Sequence, residues 1–161
     1  MTIKLVGADD ASGLIESQDY FILTKFTAVA SGNMTEFRVK SAVSGNVKCA
    51  LYADNAGEPG ALITAMNTGQ AVTGGGWETL SFTSTPIVNG TVYWLAINID
   101  TDGAVQRIAG SGIIRYKSAA YAGFTFPDPA GTGLTPSAQY DLVAGWGEVV
   151  AVGRSFGYIM G

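Results

Sequence analysis

The segment from Val47 to Ile99 constrains the fold more than any other part of the chain. It opens with Val47-Lys48-Cys49-Ala50-Leu51-Tyr52-Ala53, breaks at Asp54-Asn55-Ala56-Gly57-Glu58-Pro59-Gly60, and resumes over Ala61 to Met66. Gly74-Gly75-Gly76 then introduces Trp77-Glu78-Thr79-Leu80-Ser81-Phe82, and Pro86 with Asn89-Gly90 turns the chain into Thr91 to Asp100. Runs of β-branched and aromatic residues, punctuated at this spacing by Gly, Pro and Asn, predict short antiparallel strands of an all-β sandwich. The glycines of 54–60 supply positive φ, and Pro59 fixes φ and removes a donor, so that stretch is expected to be an irregular loop.

The flanking segments fit the same pattern. Tyr20 to Val29 is rich in aromatic and β-branched residues, and Thr35 to Lys40 alternates, with Phe37 and Val39 on one face and Glu36, Arg38 and Lys40 on the other. Ser44-Gly45-Asn46 reads as a tight turn. In Thr91 to Asp100, Tyr93, Leu95, Ile97 and Ile99 form a core row, and Val92, Trp94, Ala96 and Asn98 form a second face apolar enough to be half covered. Cys49, the only cysteine, alternates with Val47 and Leu51, which predicts a buried, inert thiol. Gly103 to Tyr116 suggests a hairpin turning at Ala109-Gly110-Ser111-Gly112. Residues 117–139 read as a long loop, of the kind that is functional or packs on a neighbour. Glu148 to Met160 reads as one or two closing strands. Asp9-Asp10-Ala11-Ser12-Gly13 interrupts the first segment, so residues 1–17 are expected to be an extended N-terminal arm on a sandwich domain of residues 18–161. A first edge strand plus loop is the alternative.

Composition bounds the function. With 161 residues, 47% hydrophobic and 14% charged, the chain suits one domain with a sizeable core. A net charge of −4 argues against nucleic acid as a partner. No apolar run approaches the roughly 20 residues of a membrane-spanning helix, and Met1 to Val6 is too short for a secretory leader. Histidine is absent, which removes Ser-His-Asp triads, Cys-His pairs and His-ligated metals, so an enzyme is not expected.

Ala50-Leu51-Tyr52-Ala53-Asp54-Asn55-Ala56-Gly57-Glu58-Pro59-Gly60, with Gly76-Trp77-Glu78-Thr79 and Thr91-Val92-Tyr93-Trp94-Leu95-Ala96, resembles a family of jelly-roll β-sandwich modules. Modules of this kind look like carbohydrate-binding domains and occur in large prokaryotic surface proteins and in bacteriophage virion proteins. The resemblance covers roughly residues 20–100 and is carried mostly by turn and core positions. It implies an antiparallel two-sheet β-sandwich. Together with the want of a secretory leader and the arm expected at residues 1–17, it points to a non-enzymatic virion structural protein, a capsid decoration (cementing) or tail-associated subunit, made in the host cytoplasm and assembled with itself and neighbouring virion proteins. The alternatives are a carbohydrate-binding module of a surface or adsorption protein, or a subunit of an extracellular layer or filament.

Candidate site residues follow from these readings. A glycan platform would draw on Trp94 with Asn98, and on Trp77 and Tyr52, since aromatic faces give large amphipathic contacts; Tyr116 and Tyr121 are further aromatic candidates. Packing is the alternative role for the same rings. Assembly would draw on Leu14 and Ile15 of the arm, on the basic Arg107, Arg115 and Lys117, and on Phe124 and Phe126 of the long loop. Trp146, between Gly145 and Gly147, is an anchor for a neighbour or a cap on the sandwich end. No cofactor is expected. Asp100, Asp102, Asp54, Asn55 and Glu58 offer turn oxygens to a structural Ca²⁺, or simply form turns.

Overall fold

A computed structural model describes residues 1–149, and every regular element among them is a strand. The strands are β1 (Thr2–Gly7), β2 (Leu14–Ile15), β3 (Tyr20–Thr27), β4 (Gly32–Ser41), β5 (Gly45–Asn55), β6 (Glu58–Val72), β7 (Gly76–Ile87), β8 (Val92–Ile99), β9 (Gln106–Ser118), β10 (Thr135–Asp141) and β11 (Val143–Val149). The part of the expected closing strands beyond residue 149 lies outside the described residues.

Four antiparallel pairs nest inside one another: β1 with β11, β3 with β8, β4 with β7, and β5 with β6. This is one long hairpin, tipped by the β5–β6 turn and rolled up so that alternate pairs fall in opposite sheets. The rolling joins β11 to β4 and β8 to β5. The smaller sheet has the order β1-β11-β4-β7, and the larger β10-β9-β3-β8-β5-β6, with β2 added on β9. Eight strands so arranged are a jelly roll. The hairpin β9–β10 is inserted before the last of them and extends the larger sheet beyond the smaller.

The core between the sheets follows the alternation seen in the sequence. Phe37, Val39, Val47, Cys49, Leu51, Leu80, Leu95, Ile97 and Ile99 are buried there, with Leu5 and Val6 of β1. Burial pushes the Cys49 thiol far above its ordinary range, so it is inert at neutral pH. A second cluster lies on the outer face of the larger sheet: Phe21, Leu23, Ala50, Tyr52, Trp94 and Ala96 pack under Phe126 and Ala130.

Three expectations need correction. Residues 1–17 are not a free arm. β1 is an edge strand of the smaller sheet, with Leu5 and Val6 fully buried, and β2 pairs with β9 through Leu14–Arg107 and Ile15–Gln106. The segment 54–60 is mostly regular: β5 and β6 meet through Asn55 and Glu58, and only Ala56 and Gly57 turn, at φ 53 and 93. Two successive positive φ values are what a two-residue hairpin turn matching strand twist requires. Residues 109–112 do not reverse the chain. Ser137 pairs with Ile114 and Gln139 with Ala109, so residues 110–113 bulge out of β9, and positive φ at Gly110 and Gly112 allows it.

Candidate functional site

The outer face of the smaller sheet carries the most ligand-like surface. β4 sends Glu36, Arg38 and Lys40 outward because its other side chains fill the core. Trp146 of β11 stands opposite Glu36, and Trp77 of β7 stands opposite Lys40. Arg38 thus lies diagonally between two indoles on three adjacent strands. Its guanidinium carbon is 3.9 Å from the centre of the Trp146 ring, and Nη2 donates to Glu36 Oε2 at 2.9 Å. Arg38 Nε is buried and has no acceptor. The connection after β1 walls one side: Trp77 Nε1 donates to the Asp10 carbonyl at 3.0 Å, and Lys4 Nζ meets Asp9 Oδ2 at 2.7 Å. Ala8, Asp9, Arg38, Trp77 and Trp146 together line a cleft of about 270 Å³.

Glycines 145 and 147 set the Trp146 indole. A Cβ at 145 would strike the Met34 sulfur, and one at 147 would strike the Asn33 backbone. Only glycine lets β11 press so closely on β4, and Trp146 between them points outward, half-buried against Arg38.

The other glycan candidates are placed differently. Trp94 and Tyr52 are fully buried on the outer face of the larger sheet, and residues 119–134 lie over them. Trp94 Nε1 donates to Asp54 Oδ1 at 2.9 Å, and Tyr52 Oη donates to the Pro127 carbonyl at 2.7 Å. Burial, then the Asp128 charge, raises the Tyr52 pKa well above its ordinary value. Asn98 Nδ2 donates to the carbonyls of Tyr20 and Ala119. Tyr121 lies under the Lys48 ammonium, 4.2 Å from its ring centre, and Tyr116 meets Tyr20 edge-on at 5.9 Å. Trp94, Asn98 and Tyr52 therefore anchor a loop, while Trp77 is the one of the four on an open surface.

The assembly candidates also divide. Phe126 is buried and Phe124 half-buried where their loop packs on the protein's own larger sheet, each within 6 Å of the Phe21 ring. Arg115 and Lys117 stand on the outer face, where Arg115 makes a two-pronged contact with Glu58 at 2.8 Å on each arm. Arg115 holds the exposed Glu58 carboxyl below the usual carboxylate range. The bulge in β9 turns Arg107 elsewhere, toward Glu16 and Gln139. Leu14 and Ile15 are 56% and 55% exposed.

The carboxylates considered for calcium are each engaged by protein donors. Asp54 accepts from Trp94 and Gly57, Asp100 from Asn46 and Thr101, and Asp102 from the Gln18 amide. Among the described residues, no three acidic or cysteine side chains converge as a metal site.

The sequence reading missed two features here. Arg38 joins Trp77 and Trp146 only through strand pairing across more than a hundred residues. Glu16 and Asp141, both buried, also meet across the chain. Asp141 has no hydrogen-bond donor on either carboxyl oxygen. Burial first, and Glu16 second, push its pKa well above the usual value, with Arg107 opposing. No protein-family model matches the chain, and no curated protein does.

Proposed function

We propose that this protein is a non-enzymatic jelly-roll module of a virion or prokaryotic surface assembly, and that it binds glycan in the Trp77–Arg38–Trp146 cleft. The observation that carries this is the diagonal row of indole, guanidinium and indole on one open sheet face. Flat aromatic faces suit the C–H faces of sugar rings, and the Arg38 guanidinium, 26% exposed as a side chain, sets a charged donor group beside them. The resemblance of Leu51 to Gly60 and Thr91 to Ala96 to carbohydrate-binding-like modules supports the same reading.

Trp77 and Trp146 are outside the core, so replacing them leaves the sandwich folded. In a glycan array followed by calorimetry, Trp77→Ala and Trp146→Ala should each weaken the best ligand at least about tenfold, or 1.4 kcal/mol. Absence of any glycan ligand for the wild type, or equal binding by both variants, would sink the idea.

A second reading is a virion decoration or tail subunit acting through protein contacts alone. Leu14, Ile15 and Val43 favour it. All three are exposed, and the last two converge on Gly103. An apolar cluster in the open suits a neighbouring subunit.

A further inference from the structure

We propose that a second cavity, under the overhang of the larger sheet, binds a single neutral sugar ring. It forms because β9 and β10 carry the larger sheet past the edge of the smaller one, leaving part of its inner face without a covering strand. Ile22 and Ile114 at its base belong to the main core, and Tyr20 and Tyr116, packed against that core, stay half-buried at its edge. Glu16, Tyr20, Ile22, Arg107, Tyr116 and Gln139 line the space, with Ser17, Ile114 and Ser137 completing it, and its volume is about 230 Å³. That is below the range of roughly 300–1,000 Å³ typical of drug-sized ligands and suits one ring.

The chemistry selects the ligand class. Glu16 is 95% buried, yet it keeps polar company: Oε1 accepts from the Ser17 amide at 2.9 Å, and Oε2 accepts from Gln139 Nε2 at 2.8 Å. Arg107 Nε lies 3.8 Å from Glu16 Oε1, and Arg107 Nη1 donates to Gln139 Oε1 at 3.2 Å. The Glu16 carboxylate and the Arg107 guanidinium offset each other on one wall, so a lone anion or cation finds no net opposite charge there. A hydroxyl both donates and accepts, so the hydroxyls of a neutral polyol can use both groups together. Tyr20 and Tyr116, both half-buried, give the apolar surface that ring C–H groups need. This site is separate from the Trp77–Trp146 cleft and does not depend on it.

The test is saturation-transfer NMR on the full chain with methyl glycosides of neutral hexoses, pentoses and N-acetylhexosamines. Acetate and methylammonium are the charged controls. A mapped amide-shift experiment on the wild type runs beside it. The expected result is a neutral glycoside that moves the amides of Ser17, Ser137 and Gln139. Its signal persists in Trp77→Ala and falls at least about tenfold in Ser137→Leu, which fills the cavity. The proposal is overturned if no neutral glycoside binds, if only a charged control does, or if the mapped shifts fall at Trp77 and Trp146 instead. Because the map uses the wild type, it decides the question even where Ser137→Leu fails to fold.

Discussion

At the scale of single residues, Asp141 makes the sharpest prediction. Its carboxyl is fully buried and carries a raised pKa, so in the folded protein it stays neutral where the unfolded chain ionises it. Stability from such a group is complete below about pH 4 and is lost as pH rises toward the folded value. Asp141→Asn keeps the shape and a donor toward Glu16 but cannot ionise. It should therefore be more stable than the wild type at pH 7 and equal to it near pH 3, by urea unfolding across pH. A wild type that gains stability from pH 4 to 7 relative to the variant would refute this. Alternation in the sequence was enough to place Cys49, Phe37 and Ile97 in the core, because a sheet face repeats every second residue. It was silent on Asp141 and Glu16, since their meeting depends on two segments 125 positions apart that are each brought beside β9. The second face of β8 was legible as half covered, but not what covers it, because the covering segment 119–134 is irregular and docks through long-range contacts to Asn98, Tyr52 and Lys48.

At the scale of elements, the stretch 119–134 behaves as a fitted lid, not as an extension toward neighbours. Lys48, though almost fully buried, spans it: Nζ donates to the carbonyls of Tyr121 at 2.7 Å and Phe124 at 2.9 Å. Asn67 Oδ1 takes the Phe126 amide, and Asp128 Oδ1 takes the Leu62 amide. Lys48→Met keeps the apolar stem but leaves two loop carbonyls without their donor. It should cost about 1–3 kcal/mol in chemical denaturation and open the 119–134 segment to limited proteolysis ahead of global unfolding. A variant whose loop resists protease like the wild type would show that the clamp is idle. The turn signals were read correctly as backbone needs and incorrectly as reversals: Gly110 and Gly112 serve a bulge. Conversely, Asp54 to Gly60 looked irregular because Pro59 lacks an N–H. At an edge strand such as β6 that loss is tolerated.

At the scale of the whole molecule, nested pairing makes the fold cooperative. β1 supplies Leu5 and Val6 to the core, each worth about 1.5–3 kcal/mol when buried. Residues 1–7 therefore belong to the body and are not a detachable tether for assembly. If protein contacts are the function, the exposed Leu14 and the Ile15–Val43 pair beside it are apolar side chains placed to carry them. Light scattering after size exclusion should then find a defined oligomer that Leu14→Asp with Ile15→Asp returns to monomer. A wild-type monomer, or an oligomer indifferent to those changes, would count against that second reading. The sandwich was legible in the local pattern, and the jelly roll only through the resemblance carried by Leu51–Gly60 and Thr91–Ala96, because which strand lies beside which is set by long-range closure.

The pairing of Thr2 with Glu148 also decides how the module answers to force. The chain enters β1 and leaves β11 at the same end of their shared ladder. A pull applied at residues 2 and 149 in opposite directions loads that ladder one hydrogen bond at a time, as a zipper, not all bonds together in shear. Held by those two points, the body yields early and gives up its length under modest tension. Held by the outer faces of its sheets, it resists as a block.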